Sequence, residues 1–267
     1  MAEIKKITAR IGEMDVLAPG ICSMWIEETG FAGDAVPGQF ISVYCDDKSR
    51  LLPRPISICE IDRTRGRLRI VFRIAGAGTK ELSERKTGGM VQVMGPLGNG
   101  YRIDYCGGTI PQGEENQPIL IGGGIGIPPL LALAQAIPPK KVAVLGYRDN
   151  KTFLKEDFEA CGCKVVIATD DGSVGTKGNV IDAIRAQGVK GRMIYSCGPT
   201  PMQRGVKEYA AEQGIIAQLS LEERMACGIG ACLGCVCKSV DVDEHSHVHN
   251  KRVCKDGPVF YAQEIEL

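Results

Sequence analysis

The sequence predicts a multidomain β plus α/β protein with an antiparallel β-barrel, a parallel-sheet domain and a small cysteine-rich domain. Short apolar runs broken by Gly and Pro fill the first hundred residues, and strands alternate with helices after Pro118. Five of the twelve cysteines lie between Cys227 and Cys254. At 267 residues, the chain is long enough for two or three compact domains.

Residues 1–103 are expected to form the barrel. Their apolar runs are short and separated by turn residues, which is typical of antiparallel barrels. The predicted strands cover residues 4–11, 21–28, 40–45, 57–61, 67–73 and 90–94.

Residues 104–219 are expected to form the α/β domain. A strand at 119–121, a glycine turn at 122–126 and an apolar helix at 128–136 open it. The alternation that follows predicts a parallel sheet covered by helices. The later strands are expected at 142–146, 165–169, 193–196 and 216–220, and the later helices near 153–160, 180–186 and 201–213. Residues 104–117 lack periodicity and predict a connecting loop.

Composition narrows the function classes. Basic and acidic side chains balance at 32 each, so no net charge favours nucleic acid or an anionic membrane. No apolar run approaches the roughly 20 residues of a membrane helix, and the first residues lack the apolar stretch of a signal peptide. We expect a cytoplasmic protein with neither a nucleic-acid nor a membrane partner. Its thiols should stay reduced, and the seven cysteines outside the cysteine-rich segment are expected to be small buried hydrophobes.

The cysteine-rich segment, residues 220–267, has the spacing of an iron-sulfur site. Cys227, Cys232 and Cys235 follow the C-x4-C-x2-C pattern of plant-type 2Fe-2S ferredoxins, which need a fourth, distant cysteine. Cys254 supplies it. The intervening glycines suit a loop that wraps a cluster and directs amides at sulfur. The sequence therefore predicts a 2Fe-2S cluster.

Two other arrangements of this segment compete with that prediction. A structural zinc site would use His245, His247 or His249, but zinc sites generally pair their ligands in two close-spaced units, and the second unit is missing. The histidines are expected to form a solvated loop. Cys237 could replace Cys254 as fourth ligand, although its strand-like surroundings favour a place in the local core.

Two segments of the barrel region combine features that suit a pyrophosphate. Arg54 and Ser57 place a forked guanidinium and a hydroxyl on one short segment. Residues 71–73 end a later strand, and Gly78 and Thr79 lie where a helix begins, whose free amides favour an anion. The predicted contacts are Arg54, Pro55, Ile56, Ser57, Val71, Phe72, Arg73, Gly78 and Thr79.

The glycine turn and a later strand end predict a nucleotide site. Glycines let the backbone approach a phosphate, although this turn departs from the G-x-G-x-x-G order. A Cys-Gly-Pro segment ends a later strand, at the edge of the sheet where ligands bind in open α/β folds. The predicted contacts are Gly123, Gly124, Gly126, Cys197, Gly198 and Pro199. Arg148 would favour NADP and Asp170 with Asp171 would favour NAD, so the residues alone leave the choice open.

Arg-x-x-Ser followed by Gly-x-Gly-Thr, upstream of such a domain, resembles the ferredoxin-NADP reductase superfamily. This resemblance implies FAD in the barrel domain and a Cys-Gly-Pro segment beside the nicotinamide and the flavin. The domain order, with residues 221–237 and 252–260, resembles the family of electron transfer subunits of class B dihydroorotate dehydrogenase. The family resemblance favours NAD.

That family resemblance implies FAD, one 2Fe-2S cluster and NAD(H) as substrate. It also implies an FMN-containing catalytic partner, in a heterotetramer of two catalytic and two electron transfer chains. Electrons from dihydroorotate would pass through FMN, the cluster and FAD to NAD+, with no catalytic acid or base in this chain. A reductase subunit of an NADH-dependent ferredoxin-NADP oxidoreductase or a sulfhydrogenase is the alternative. The intact flavin and glycine motifs disfavour a non-enzymatic iron-sulfur scaffold.

Overall fold

The computed structural model describes residues 3–27, 29–103, 117–242 and 247–267. Six antiparallel strands close a barrel in the order β1-β2-β5-β4-β3-β6. The strands are β1 (Lys5–Ala18), β2 (Ile21–Glu27), β3 (Phe40–Val43), β4 (Arg54–Asp62), β5 (Arg67–Arg73) and β6 (Met90–Leu97), with helix α1 (Ala77–Ser83) between β5 and β6. Strand β1 is longer than predicted because it pairs with β2 as far as Ala18 opposite Ile21. The predicted end of the second strand, residue 28, lies outside the described residues.

The second sheet has seven strands in the order β10-β9-β8-β7-β11-β12-β15. All its pairs are parallel except β12 with β15. The strands are β7 (Pro118–Gly123), β8 (Lys141–Tyr147), β9 (Cys163–Thr169), β10 (Thr176–Lys177), β11 (Met193–Cys197), β12 (Ile216–Ser220) and β15 (Val259–Tyr261). The helices are α2 (Pro128–Ala136), α3 (Lys155–Ala160), α4 (Val180–Ala186) and α5 (Thr200–Gln213). The predicted fold class is confirmed.

The order of the parallel strands creates a switch point between β7 and β11. Strand β8 lies on one side of β7 and β11 on the other. The connections therefore leave the sheet in opposite directions, which opens a crevice at the carboxyl ends of the two strands. This crevice faces the barrel.

The cysteine-rich segment is joined to both larger parts. It contains the short hairpin β13 (Val236–Lys238) and β14 (Asn250–Arg252), and then it supplies β15 to the edge of the seven-stranded sheet. Buried Phe40 and Leu97 of the barrel share one core with Cys235, Val253 and Cys254. The segment thus packs against the barrel and the sheet together.

The chain leaves the barrel alongside strands β11 and β12 of the second sheet. The backbone N–H of Arg102 donates to the side chain of Gln218 at 2.8 Å, and the Gln218 amide donates back to the Arg102 carbonyl at 2.8 Å. The buried hydroxyl of Tyr101 donates to the carbonyl of Ser196 at 3.1 Å. These contacts fix the exit of the barrel. The predicted connecting loop that follows lies at residues 104–116 outside the described residues. No helix among the described residues is long and apolar enough to cross a membrane.

Candidate functional site

A cavity of about 660 Å³ lies where the barrel, the sheet and the start of the cysteine-rich segment meet. Most of the predicted nucleotide contacts line it. From the barrel come Arg54, Pro55, Ile56, Ser57, Val71, Phe72, Arg73 and Thr79, and from the sheet Gly126, Cys197 and Gly198. The structure therefore brings residues from distant parts of the sequence to one site. Gly78, Gly123, Gly124 and Pro199 are not among the residues that line it.

Arg54 lies against Gly78. A Cβ at Gly78 would overlap the Arg54 guanidinium, with the Nη2 atom only 2.6 Å away. The guanidinium donates to the backbone carbonyl of Leu52 at 2.7 Å, which fixes part of its fork within the chain. Glycine at position 78 therefore leaves the space in which this cation sits at the start of α1.

Thr79 has a structural role as well as a place on the cavity wall. Its hydroxyl accepts hydrogen bonds from the backbone N–H groups of Ala75 at 2.9 Å and Gly76 at 3.2 Å. These are the contacts of a capping box, which holds the turn before α1. Ile56 faces the barrel core and is only 7% exposed, so it contributes mainly shape.

The glycine turn after β7 touches the end of β11. A Cβ at Gly126 would lie 2.5 Å from the carbonyl carbon of Cys197 and 2.6 Å from the Cα of Gly198. A Cβ at Gly123 would lie 2.5 Å from the Met202 sulfur. Side chains are therefore excluded at the switch point, and backbone lines the floor of the cavity.

Cys197 is a protonated thiol in this environment. Burial raises its pKa to about 12, although the neighbouring Ser220 hydroxyl opposes the shift. A thiol with such a pKa is a poor nucleophile at neutral pH. Cys197 can therefore shape and contact a ring in the cavity without competing covalent chemistry.

Sequence reasoning missed one wall of the cavity. Residues 221–225 run from the end of β12 towards the cysteine loop and line the cavity, with Met225 only two residues before Cys227. The sequence signal for this wall is the continuous motif at residues 221–237 that leads into the cysteines. The other missed lining residues are Phe40, Leu52, Pro53, Ala75, Ile125, Ser220 and Pro258.

The cysteine loop directs backbone amides at sulfur. The N–H groups of Ile229 and Ala231 donate to the Cys227 sulfur at 3.5 and 3.3 Å, and the N–H of Gly230 donates to the Cys254 sulfur at 3.1 Å. Gly230 has a φ of +85°, a left-handed conformation that favours glycine. Such donors stabilise thiolates and lower the energy of an anionic centre.

The four predicted ligands form two pairs. Cys227 lies beside Cys232, and Cys235 lies beside Cys254. Within the described part of the chain, no three His, Cys, Asp or Glu side chains gather round one point where a single ion would sit. The two iron atoms of a 2Fe-2S cluster take two cysteines each. The donor set and its two-and-two arrangement fit a 2Fe-2S cluster.

The two pairs have opposite environments. Cys235 and Cys254 are each 2% exposed, whereas Cys232 lies at the surface. Burial, with the adjacent Cys235 thiol, raises the pKa of Cys254 to about 12. Burial also raises the pKa of Cys227, but the amides that donate to its sulfur outweigh burial and bring that pKa down to about 6.

The alternative ligands lie apart from these pairs. Cys237 packs against the core, and burial raises its pKa to about 11. The Nδ1 atom of His249 lies 2.9 Å from the carbonyl of Val240. His247 and His249 are exposed, whereas His245 lies outside the described residues.

The cysteine loop rests directly on the barrel. A Cβ at Gly228 would lie 3.1 Å from the Ser42 hydroxyl and 3.4 Å from Leu97. At the end of β6 the Asn99 side chain donates to the carbonyls of Lys255 at 2.9 Å and Asp256 at 3.1 Å. The predicted cluster site is thereby held next to the cavity.

The two acidic candidates for nicotinamide selectivity differ. The carboxylate of Asp171 accepts from the N–H and hydroxyl of Ser173 at 2.9 and 2.6 Å, and these bonds lower its pKa. Asp171 therefore stabilises its own turn. Asp170 and Arg148 are exposed near the carboxyl ends of neighbouring strands.

Comparison with known proteins agrees with this arrangement. The family described as iron-sulfur cluster binding domain of dihydroorotate dehydrogenase B matches residues 222–266. The chain is 40% identical over 230 residues, 86% of each chain, to a Caldanaerobacter subterraneus protein named dihydroorotate dehydrogenase B (NAD(+)), electron transfer subunit. A protein of the same name from Desulforamulus reducens is 38% identical over 98% of each chain.

Solved structures share the architecture. The structure of an NADH-dependent reduced ferredoxin-NADP oxidoreductase is 27% identical, with a TM-score of 0.81 over 97% of this chain and 89% of that one. A ferredoxin reductase of carbazole 1,9a-dioxygenase is 22% identical and has a TM-score of 0.65 over 79% of this chain and 67% of that one. The second likeness shows the fold alone.

Proposed function

The chain belongs to the family of dihydroorotate dehydrogenase B electron transfer subunits, and we propose that its cavity and cysteine loop together carry electrons between a catalytic partner and NAD+. It is an oxidoreductase subunit that uses FAD and an iron-sulfur cluster. The observation that carries the proposal is the cavity, because one wall of it leads within two residues to the first cysteine of the loop.

The barrel side of the cavity would hold FAD. Arg54 of β4, beside the start of α1, offers a cation to the pyrophosphate, and Ser57 offers a hydroxyl on the same wall. Thr79 is a further proposed contact on this wall, while its hydroxyl holds the turn before α1. Bound FAD supplies the exchange between single electrons and the hydride of a nicotinamide. The chain itself positions the ring and excludes water. The remaining proposed contacts are Pro55, Ile56, Val71, Phe72, Arg73 and Gly78.

The switch point would hold the nicotinamide nucleotide. Backbone at Gly126 and Gly198 lines the cavity floor, where a ring can lie close to the flavin wall. The thiol of Cys197 lines the same floor and stays protonated, so it contributes contact without charge. The other proposed contacts are Gly123, Gly124 and Pro199. NAD is the expected nucleotide, as the names of the relatives state.

The two cysteine pairs would hold the 2Fe-2S cluster. Cys235 and Cys254 face the core shared with Phe40, which also lines the cavity. Cys232 lies at the outer surface. Cys227 continues the cavity wall at residues 221–225, and the buried pair shares its core with Phe40, so both pairs adjoin the cavity. The exposed Cys232 marks the side available to a partner. Cysteine ligation alone does not set the direction of electron flow, because the potential depends on hydrogen bonds and burial.

The name of the relatives implies a catalytic partner, which we propose contains FMN and forms a heterotetramer of two chains of each kind. In such an assembly dihydroorotate would be oxidised on the partner, as a step of pyrimidine synthesis. Large apolar side chains are exposed around Cys232: Ile229 at 47%, Leu233 at 55% and Val236 at 40%. We place the docking surface here, because electrons cross between chains only over short distances.

A charge on this surface should block assembly. Leu233→Asp is expected to abolish copurification with the catalytic chain while FAD and cluster contents stay unchanged. Val16→Asp is the matched control, since Val16 is 74% exposed on the barrel hairpin, away from the cysteine loop. Size-exclusion chromatography of the mixed chains measures the outcome. Normal assembly of the Leu233 variant would move the docking surface elsewhere.

The central test is an anaerobic visible spectrum with iron, sulfide and flavin analysis. Two irons, two sulfides and one FAD per chain are expected, with bleaching by NADH. Oxidation of dihydroorotate should require addition of the catalytic chain. Zinc without flavin would contradict the proposal. FAD and cluster without coupling to that partner would assign the chain to a sister reductase, such as the 27%-identical oxidoreductase.

A further inference from the structure

The barrel and the α/β domain meet through an apolar contact with a polar edge. Cys59 of β4 is fully buried in the same core as Leu130 and Leu131 of α2. The register of β4 against β5 shifts between Ile58 and Glu60, so that Cys59 is the extra residue of a β-bulge. Bulges re-aim side chains. Here the bulge turns Cys59 towards α2 and sets Glu60 opposite Arg69.

Glu60 bridges the two domains. One carboxylate oxygen accepts from the Arg69 guanidinium at 2.5 Å, within the barrel, and the other accepts from the Gln135 amide at 2.6 Å, on α2. Arg69 also donates to Ser23 at 2.8 Å and lies 3.5 Å from Asp157 at the start of α3. The side chains of Arg69 and Glu60 are 11% and 17% exposed, so water screens their contact only partly.

The hydrogen bond between Glu60 and Gln135 connects strand β4 and helix α2, and both elements lead to the cavity. Strand β4 runs from Arg54 and Ser57 on the flavin wall to Glu60, and α2 follows the glycine turn at Gly126 and runs to Gln135. The segment from Gly126 to Gln135 is about 13 Å long. If α2 tilts by about 5° about the Glu60–Gln135 hydrogen bond, the cavity floor at Gly126 moves by about 1 Å. A displacement of that size at a reacting centre costs up to about 100-fold in rate.

We propose that Glu60 is a positioning residue whose two hydrogen bonds, to Arg69 and Gln135, set the angle between the flavin wall and the nicotinamide floor of the cavity. This inference rests on the proposed function, since it assigns a role in hydride transfer. The apolar contact holds the domains together, whereas the hydrogen bonds select one orientation.

A donor-acceptor exchange tests the bridge. Gln135→Glu places a second carboxylate against Glu60 and should slow NADH-dependent flavin reduction by about 10-fold, with FAD content unchanged. Glu60→Gln combined with Gln135→Glu restores one donor facing one acceptor, while the new amide oxygen at position 60 can still accept from Arg69. The double variant should recover to within about threefold of the unaltered rate. Anaerobic stopped-flow absorbance of the FAD- and cluster-loaded chain gives the rate, and the NADH-flavin charge-transfer band reports ring alignment directly.

Asp62→Asn is the matched control. Asp62 lies two residues further along β4 and contacts Arg67 at 3.1 Å within the barrel, so its loss should leave rate and charge-transfer band unchanged. An unaltered rate in Gln135→Glu, no recovery in the double variant, or an equal loss in Asp62→Asn would each overturn the bridge. A flavin that NADH does not reduce in the unaltered chain would instead overturn the proposed function.

Discussion

The flavin cavity and the cysteine loop are built in contrasting ways. The cavity is lined by residues as far apart in the sequence as Phe40 and Pro258, whereas all four predicted cluster ligands lie within residues 227–254. The loop depends on spacing and backbone conformation, and the cavity depends on how three parts of the chain pack. Damage to one should therefore leave the other intact, except where they share the wall at residues 221–225.

The largest expected effect is loss of the cluster in Cys254→Ser. Cys254 is buried beside Cys235, so a hydroxyl there would leave one iron with an incomplete soft ligand set. Iron and sulfide should fall to near zero while bound FAD remains. Cys237→Ser is the matched control and should keep its cluster. Chemical analysis and visible spectra measure both. Retention of a normal cluster in Cys254→Ser would reassign the fourth ligand.

The exposed pair should tolerate change better than the buried pair. Cys232 is at the surface, where a serine oxygen can be solvated or can ligate iron. Cys232→Ser is therefore expected to retain a fraction of the cluster with a shifted spectrum, and Cys235→Ser should retain none. Electron paramagnetic resonance of the reduced proteins distinguishes the two. Equal loss of the cluster in both variants would mean that the exposure of a cysteine pair does not determine its tolerance to substitution.

A substitution at Gly78 should have the converse effect, in which FAD binding is weakened and the cluster is kept. Gly78→Ala fills the space of the Arg54 guanidinium, so FAD affinity should fall by about 10- to 100-fold, or about 1.4 to 2.8 kcal/mol, with the cluster unchanged. Arg54→Ala should give a similar loss. Gly76→Ala is the control, since no atom lies within 4 Å of its added Cβ and its φ is −173°. Flavin titration measures affinity, and normal binding by Gly78→Ala would remove Arg54 from the site.

The smallest expected effect is at the contact between the barrel and the cysteine-rich segment, which Asn99 makes. Asn99→Ala removes the side-chain bonds to the carbonyls of Lys255 and Asp256 and should cost about 1 kcal/mol of unfolding free energy. The loss should show first in urea denaturation followed by cluster absorbance, with flavin release changing less. Equal shifts in both signals would show that the two regions unfold as one unit.

The same contrast explains what the sequence could predict. The ligand spacing from Cys227 to Cys235 is local, and so are the glycine turn and the alternating strands and helices. The wall at residues 221–225 and the contact of Phe40 with the cavity depend on packing between segments that no local pattern relates. The bulge at Cys59 could not be predicted from the sequence either, because a register shift is visible only once β4 and β5 pair.

The antiparallel pairing of β12 with β15 makes residues 221 to 258 the closed loop of one hairpin. A loop of this length carries an entropic cost of closure that a crosslink between Cys227 and Cys254 would reduce by about 1 kcal/mol. The inorganic cluster would thus act as a staple across the loop. Apoprotein is expected to fray at the edge of the nucleotide sheet, so loading of metal and ordering of β15 become thermodynamically linked.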